Sequence, residues 1–274
     1  MIKRIYQISD VHIRTFRDLD KYGEVLTDFI EELKEDASRF KSEEVRIVIC
    51  GDLLHNKNNL TPELIVFAST FIRQLESIAK VLVIAGNHDL IESNKSRTDA
   101  ISSIFQTADF SNSLLLDMLL NYESGVVDDD NVLWALYSIY DDYRRPDIES
   151  AREMHPDKKV FGLFHGSAIG TQNFNGYVLD AGVEGKVFDG CDYFLAGHIH
   201  KRQSLKYGDC EFVYGGSLIQ QDYGETVSQH GYVVWDLEND TYEFKDVKND
   251  YSLLCLEIDK PEDIDNNEEK SVNP

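Results

Sequence analysis

Val81-Leu82-Val83-Ile84-Ala85-Gly86-Asn87-His88-Asp89 is the stretch on which the reading of this chain turns. The aliphatic and small residues Val81 to Ala85 have the unbroken apolar character of a strand buried on both faces of a parallel sheet. Gly86 then lets the backbone turn sharply at the strand's carboxyl end, where open α/β sheets place their ligands. The turn gathers an amide, an imidazole and a carboxylate into one small volume. Asn, His and Asp are also ordinary turn residues, so Gly86-Asn87-His88-Asp89 decides nothing alone. It gains weight because four other stretches repeat the arrangement.

Upstream, Ile5-Tyr6-Gln7-Ile8 reads as a strand ending in Ser9-Asp10-Val11-His12. On an extended backbone, Asp-x-His puts two metal-type side chains on one side. Lys21 to Phe40 carries Val25, Leu26, Phe29, Ile30 and Leu33 at helical spacing. Val45 to Ile49 is a second strand, followed by Cys50-Gly51-Asp52-Leu53-Leu54-His55. Thr61-Pro62-Glu63 starts a helix with Thr as N-cap, running to about Ile78. Right-handed crossovers would bring the three strand ends to one edge of a parallel sheet.

Downstream, residues 98–108 form a helix pattern and 109–131 show no clear one. Asp128-Asp129-Asp130-Asn131 reads as a solvated hairpin turn rather than an ion site, and Trp134, in the strand pattern Val132 to Tyr140, as core. Arg144 to Glu153 reads as a short helix. Val160 to Phe164 is a strand ending at His165-Gly166, and the Gly-rich residues 166–190 suit a loop bordering a site. Asp192 to Ala196 ends in Gly197-His198-Ile199-His200, and Phe212-Val213-Tyr214 leads into Gly215-Gly216-Ser217-Leu218. Gly231 to Leu237 and Thr241 to Val247 form a hairpin with its turn at Glu238-Asn239-Asp240. Ser252 to Ile258 is a candidate strand, and the polar residues 261–274 are expected to be disordered.

The 274 residues have room for one large α/β domain over 1–250, with 251–274 as an acidic tail or the start of a truncated capping domain. Cys50, Cys191, Cys210 and Cys255 lie far apart with no C-x-x-C pair, which suggests free thiols in a reducing compartment. The chain enters a strand pattern directly after Met1, and no apolar stretch is long enough to cross a bilayer. No membrane association is expected, and the location is cytoplasmic, or nuclear or inside a host cell. With 27 Lys and Arg against 50 Asp and Glu, the net charge of −23 argues against a broad basic surface for DNA. Bound cations would invert the field locally, and a partner could supply positive surface.

Asp10, His12, Asp52, Asn87, His88, His165, His198 and His200 all follow expected strands. Of the eight histidines, only His155 and His230 fall outside these motifs and Cys50–His55. So many nitrogen and oxygen ligands exceed what one Zn²⁺ or Mn²⁺ requires, and suit two cations sharing a carboxylate.

In order and spacing, the motifs D-x-H, G-D, G-N-H-D, H-G and G-H-x-H, spanning residues 10 to 200, resemble those of the calcineurin-like metallophosphoesterases. The resemblance implies an α/β fold, a four-layer α-β-β-α sandwich of two mixed sheets flanked by helices. It implies that Asp10, His12 and His200 hold one metal, that Asn87, His165 and His198 hold the other, and that Asp52 bridges them. His88 would face the phosphoester as acid or transition-state donor, oriented by Asp89. Two cations about 3.5–4 Å apart would lower the pKa of bound water and clamp the phosphate, so that hydroxide attacks phosphorus in line. Mn²⁺ is the expected metal, with Mg²⁺, Zn²⁺ or Fe²⁺ as alternatives.

A finer resemblance lies in Gly51-Asp52-Leu53-Leu54-His55 with Leu60-Thr61-Pro62, and in Tyr214-Gly215-Gly216-Ser217-Leu218. These stretches are similar to the SbcD-like exonucleases, nuclease subunits of double-strand-break repair complexes that pair with an SMC-like ABC ATPase. The similarity implies Mn²⁺-dependent DNA hydrolysis, 3′ to 5′ on ends and endonucleolytic on single strands, with His55 placing the DNA backbone. It also implies a homodimer through helices, for which Leu64, Val66, Phe67, Phe71 and Ile104 are candidates if they do not pack on the sheet. Such nucleases usually continue into a capping domain, whereas this chain stops soon after Ile258. Two alternatives remain: a phosphatase or cyclic-nucleotide phosphodiesterase with the same metals, and a non-catalytic scaffold with a vestigial site.

Overall fold

Branched aliphatic residues dominate the first three strands, and such side chains suit a pleated surface covered on both faces. The computed structural model, which describes residues 1–14, 19–57, 60–91, 94 and 96–254, makes β1 (Arg4–Ile8), β2 (Val45–Cys50) and β3 (Lys80–Ile84) parallel neighbours. The crossovers are α1 (Leu19–Ala37) and α2 (Pro62–Glu76). Thr61 caps α2 as its sequence predicts, the hydroxyl accepting Leu64 N–H at 3.3 Å, and the buried residues Leu64, Ala68, Phe71, Ile72 and Leu75 form one apolar stripe. Asp99 caps α3 (Ala100–Thr107) in the same way.

The unassigned stretch 109–131 holds β4 (Ser113–Leu115), α4 (Leu116–Leu119) and β5 (Gly125–Asp129). The chain continues as β6 (Val132–Tyr137), α5 (Ile148–Met154), β7 (Lys159–His165), β8 (Tyr193–Gly197), β9 (Gln203–Tyr207) and β10 (Cys210–Tyr214). Strand β6 ends three residues short of Tyr140, because Ser138 caps a 3₁₀ turn there. A second sheet thus forms in the order β5-β6-β7-β8-β10-β9. The expected last hairpin, β11 (Gly231–Asp236) and β12 (Thr241–Asp246), returns to the first sheet, whose order is β12-β11-β1-β2-β3-β4. Of the candidate strand Ser252 to Ile258, residues 252–254 have no strand structure, and the rest, with Cys255, lies outside the described residues.

Side chains of alternating direction divide the interior into three apolar layers. Tyr6, Ile8, Ile47, Ile49, Val81 and Val83 face α1, α2 and α3. Ile5, Val48, Leu82 and Ile84 meet Trp134, Phe161, Leu163, Leu195 and Trp235 between the sheets. Leu133, Tyr137, Phe164, Phe194 and Phe212 pack outward beneath α5 and the loop carrying Phe188. The result is the expected four-layer α-β-β-α sandwich with two mixed sheets. Cys50, Cys191 and Cys210 are buried free thiols, and among the described residues no helix is long and apolar enough to cross a membrane. Of the candidate dimer residues, Leu64, Phe71 and Ile104 are spent in the core, Phe67 is partly buried, and only Val66 is well exposed at 64%.

One expectation needs correction. Asp128 to Asn131 does make the hairpin turn between β5 and β6, but Asp129 is buried rather than solvated. It bridges the sheets, accepting Arg46 Nε at 2.7 Å and Nη2 at 2.9 Å, and Trp134 Nε1 at 3.2 Å. Burial raises the pKa of this carboxyl, but Arg46, Lys80 and Trp134 more than offset that and hold it below the ordinary range. A depressed carboxyl contributes stability above its unfolded value of about 3.9, which is lost as pH falls through the folded value. We expect Arg46→Met to lose on the order of 3 kcal/mol at pH 7 in urea denaturation, and an added Asp129→Leu to recover most of it. A loss as large at pH 3 as at pH 7 would contradict the assignment.

Candidate metal centre

The ends of β1, β2 and β3 meet those of β7 and β8 at one edge of the sandwich. Asp10 and His12 do not sit there on an extended backbone, as strand alternation would have it. Both are left-handed, with φ 51°, as are Asp52 at 52° and His198 at 91°. Such conformations cost a non-glycine residue about 1–3 kcal/mol each and gather at functional sites. Backbone bonds hold the turn: Asp10 N–H donates to Gly51 O at 3.2 Å and His12 N–H to Asp52 O at 2.9 Å.

Two groups of metal-type atoms result, Asp10 with His12 and His200, and Asp52 with His165 and His198. In the first, His200 Nε2 is 3.7 Å from Asp10 Oδ1 and 3.1 Å from His12 Nε2. In the second, His165 Nε2 is 3.3 Å from Asp52 Oδ2, and Asn87 Oδ1 lies 3.2 Å from His165 Nε2 and 2.8 Å from His198 Nδ1. Asp52 Oδ2 also stands 3.7 Å from His12 Nε2, so one carboxylate oxygen faces both groups. Its other oxygen accepts His88 N–H at 2.7 Å.

The remaining ring nitrogens fix how two of these imidazoles present themselves. His165 Nδ1–H donates to Cys50 O at 2.7 Å, and His200 Nδ1–H to the buried Glu225 Oε1 at 2.5 Å. Each ring therefore turns Nε2 inward, the arrangement that second partners impose on metal-binding histidines. Two Nε2 atoms 3.1 Å apart need a proton or a cation between their lone pairs. The set of imidazole, carboxylate and amide donors fits divalent ions of the Mn²⁺, Fe²⁺ or Zn²⁺ kind.

Charge balance points the same way. Burial, ahead of other causes, lowers His12 well below its ordinary value and His198 to about 4, leaving neutral lone pairs. Burial also opposes charge on His165, yet Asp52 and then Asp10 push it up to about 10. Asp52 is in turn held below the carboxylate range, against burial, by His165, His12 and the His88 N–H. The raised His165 answers the carboxylate charge around it, a task that a divalent ion held by these side chains would take over.

His88 donates Nδ1–H to His55 O at 2.7 Å; its ring stacks on His55 at 5.6 Å and meets His12 edge-on at 4.8 Å. These three rings also come within ligand distance of one another. Asp89, expected to orient His88, does not. Its oxygens accept Gly86 N–H and Leu54 N–H at 2.9 Å and Leu53 N–H at 3.4 Å, clamping the loop after β2 to the turn after β3. Burial first, and then Asp52, raise it to about 7.

Glu225 was missed by the sequence reading, as was the part played by Tyr214 to Leu218. Leu218 N–H donates to Ser9 O at 3.2 Å, Ser9 hydroxyl to Gly216 O at 2.7 Å and Ser217 N–H to His200 O at 3.0 Å, so this segment laces Asp10 to His200. Lys57 Nζ likewise donates to Asn87 O at 3.0 Å. The segment's glycine pair after a strand was the available signal. We expect calorimetry and metal analysis to find two divalent ions per chain, and Glu225→Gln to weaken one of them roughly ten- to hundredfold while sparing the other. Unchanged affinity would refute the role given to Glu225.

A family model described as the calcineurin-like phosphoesterase superfamily domain matches residues 4–240. An uncharacterised protein of Acanthamoeba polyphaga mimivirus is 33% identical over 267 residues, 94% of this chain, which spans 19% of that relative's length. Among solved structures, the anchor in the inner membrane complex of Plasmodium aligns at TM-score 0.55 and 12% identity, over 92% of this chain and 87% of its own. An archaeal phosphodiesterase aligns at TM-score 0.41 and 14% identity, over 88% and 97%. At 12% identity the Plasmodium structure speaks only to the fold. The family match runs from β1 to the turn before β12, across every strand end described above, and the chain belongs to the calcineurin-like phosphoesterase superfamily.

Proposed function

We propose that this chain is a two-metal phosphodiesterase acting on DNA. The observation that carries the phosphoesterase part is the single oxygen of Asp52 that faces both ligand groups. Asp10, His12 and His200 would hold one divalent ion, Asn87, His165 and His198 the other, and Asp52 both. When bound, such a pair polarises phosphoryl oxygens and makes water a nucleophile near neutral pH.

The chain's own part centres on His88. With Nδ1–H committed to the His55 carbonyl, its Nε2 is the atom that can hold a proton and give it to the leaving oxygen. His55 is lowered to about 4, by burial first and then by Arg14 and His88, so it stays neutral and acts as a hydrogen-bonding wall beside the phosphate. DNA is favoured among phosphodiesters by the resemblance at Gly51–His55 and Tyr214–Leu218, and by cations close to the ligands. Lys57 is bonded to the Asn87 carbonyl, Lys201 follows His200, and Arg14 lies two residues past His12. An SMC-like ATPase partner would supply the broader positive surface that a chain of net charge −23 lacks.

With Mn²⁺, the purified chain should cleave labelled single- or double-stranded DNA in a panel that also offers a cyclic nucleotide and an aryl phosphate. Activity on only the last two would make it a phosphatase or cyclic-nucleotide phosphodiesterase, and none on any would favour the scaffold. His88→Ala should keep its metal and lose about 10²–10⁴-fold in kcat. A metal-free variant would contradict the role of His88.

A further inference from the structure

A cleft of about 680 Å³ opens directly beside the candidate metal centre. His55 belongs to both: it lines the cleft, and its ring lies 5.5 Å from His12 and 5.6 Å from His88. Beyond His55 the walls include two tyrosines, Tyr223 at 53% exposed and Tyr251 at 42%, and two cations, Arg14 and Lys21. Arg14 is anchored to the Gln221 side chain and carbonyl, and the Lys21 ammonium sits 5.5 Å over the Tyr251 ring. Among the described residues that line it, Asp222 is the one acidic side chain and is engaged with Gly224 N–H at 2.7 Å, while Glu24, outside the lining, accepts the Tyr251 hydroxyl.

Half-exposed aromatic rings between fixed cations, in a chain of net charge −23, are a local exception that calls for an anionic, flat-faced ligand. The volume lies within the range of small-molecule sites, roughly 300–1,000 Å³, enough for a nucleotide and far too small for a duplex. Because Lys21 covers Tyr251, Tyr223 offers the freer ring face. We propose that this cleft seats one unpaired nucleotide next to the scissile phosphate, its base on Tyr223 and its phosphate near Arg14 and Lys21, so that the enzyme takes single strands or frayed ends. The proposal rests on the phosphodiesterase reading and names the substrate form that site accepts.

The test compares the wild-type chain with Tyr223→Ala and Tyr251→Ala on three substrates with Mn²⁺: a single-stranded oligothymidylate, an abasic strand of equal length, and bis(p-nitrophenyl) phosphate. Tyr223→Ala should raise KM for the oligothymidylate about tenfold, more than Tyr251→Ala does, with KM for the other two within twofold of wild type. Tyr223→Trp should restore the lost affinity. An unchanged oligothymidylate KM in Tyr223→Ala, or an equal rise for the abasic strand, overturns the cleft. Fluorescence anisotropy of the same strands in EDTA gives a readout that needs neither turnover nor a folded alanine variant. Wild type should bind the base-bearing strand more tightly than the abasic one, and equal binding overturns the proposal. If wild type cleaves no DNA, the nuclease reading falls, and this binding comparison still decides the cleft.

Discussion

Everything at the metal centre hangs on one hydrogen bond between the sheets, from His165 Nδ1–H to the carbonyl of Cys50 at 2.7 Å. Stacked sheets ordinarily lie about 10 Å apart, too far for a ring at the end of one strand to reach the backbone of another sheet. Here the two sheets pinch together at their carboxyl edge until backbone nearly touches backbone. A Cβ on Gly197 would lie 2.1 Å from Cys50 O, and one on Gly51 would lie 2.3 Å from His165 Nδ1. Gly51 also has φ +83°, so side chains are excluded there twice over. The glycines of the G-D and G-H-x-H motifs therefore mark where the sheets meet, and that meeting sets the tautomer of His165.

Such a pinch places charge where water cannot screen it. Asp10 is fully buried, and burial raises its carboxyl above the usual range even with His200, His165 and the His198 N–H in opposition. Left-handed conformations at Asp10, His12, Asp52 and His198 add strain in the same small volume. The surrounding packing holds this arrangement in place: the apolar layers reach to Ile8, Ile49 and Ile84, just before each ligand turn. The Asp89 clamp then joins two of those turns through three backbone N–H groups. Asp89 thus has a mechanical place at the centre, tying the two turns together.

What could be read from sequence is what local periodicity determines. Runs rich in aliphatic and aromatic residues reveal β1, β2, β3, β7 and β8, and threefold and fourfold spacing reveals α1 and α2, because each pattern has only one face or pair of faces to bury. Leu114 to Leu120 defeats such reading: one leucine-rich run is divided between β4 and α4, and pairing of Val81 to Val83 with Ser113 to Leu115 decides where the strand ends. Strand β9 alternates half-buried and exposed residues without a strong apolar face, as an edge strand can. Asp129 hides in an acidic run, since it is turned inward by Arg46, Lys80 and Trp134, two of them distant in sequence. Glu225 is one of 50 acidic residues and gains its place at the centre from His200, with Gln221 N–H holding its other oxygen at 2.8 Å. The candidate ligands were legible because they follow strands; their supports were not, because they come from loops that fold onto them.

The acidity of the chain acts on two length scales. Beyond about 8–10 Å its surface charge is largely screened at physiological salt, so repulsion of a polyanion weakens quickly with distance. At contact the local groups decide, and there Lys57 is bonded to the Asn87 carbonyl and Arg14 follows His12 by two residues, beside a centre whose sign two divalent ions would reverse. A duplex laid across the protein would set many phosphates against acidic surface at once. A single strand entering end-first would bring one or two phosphates to the centre while the rest stay in solvent. On the proposed nuclease reading, an acidic protein with cations beside its candidate ligands would be electrostatically matched to narrow substrates, independently of any aromatic wall.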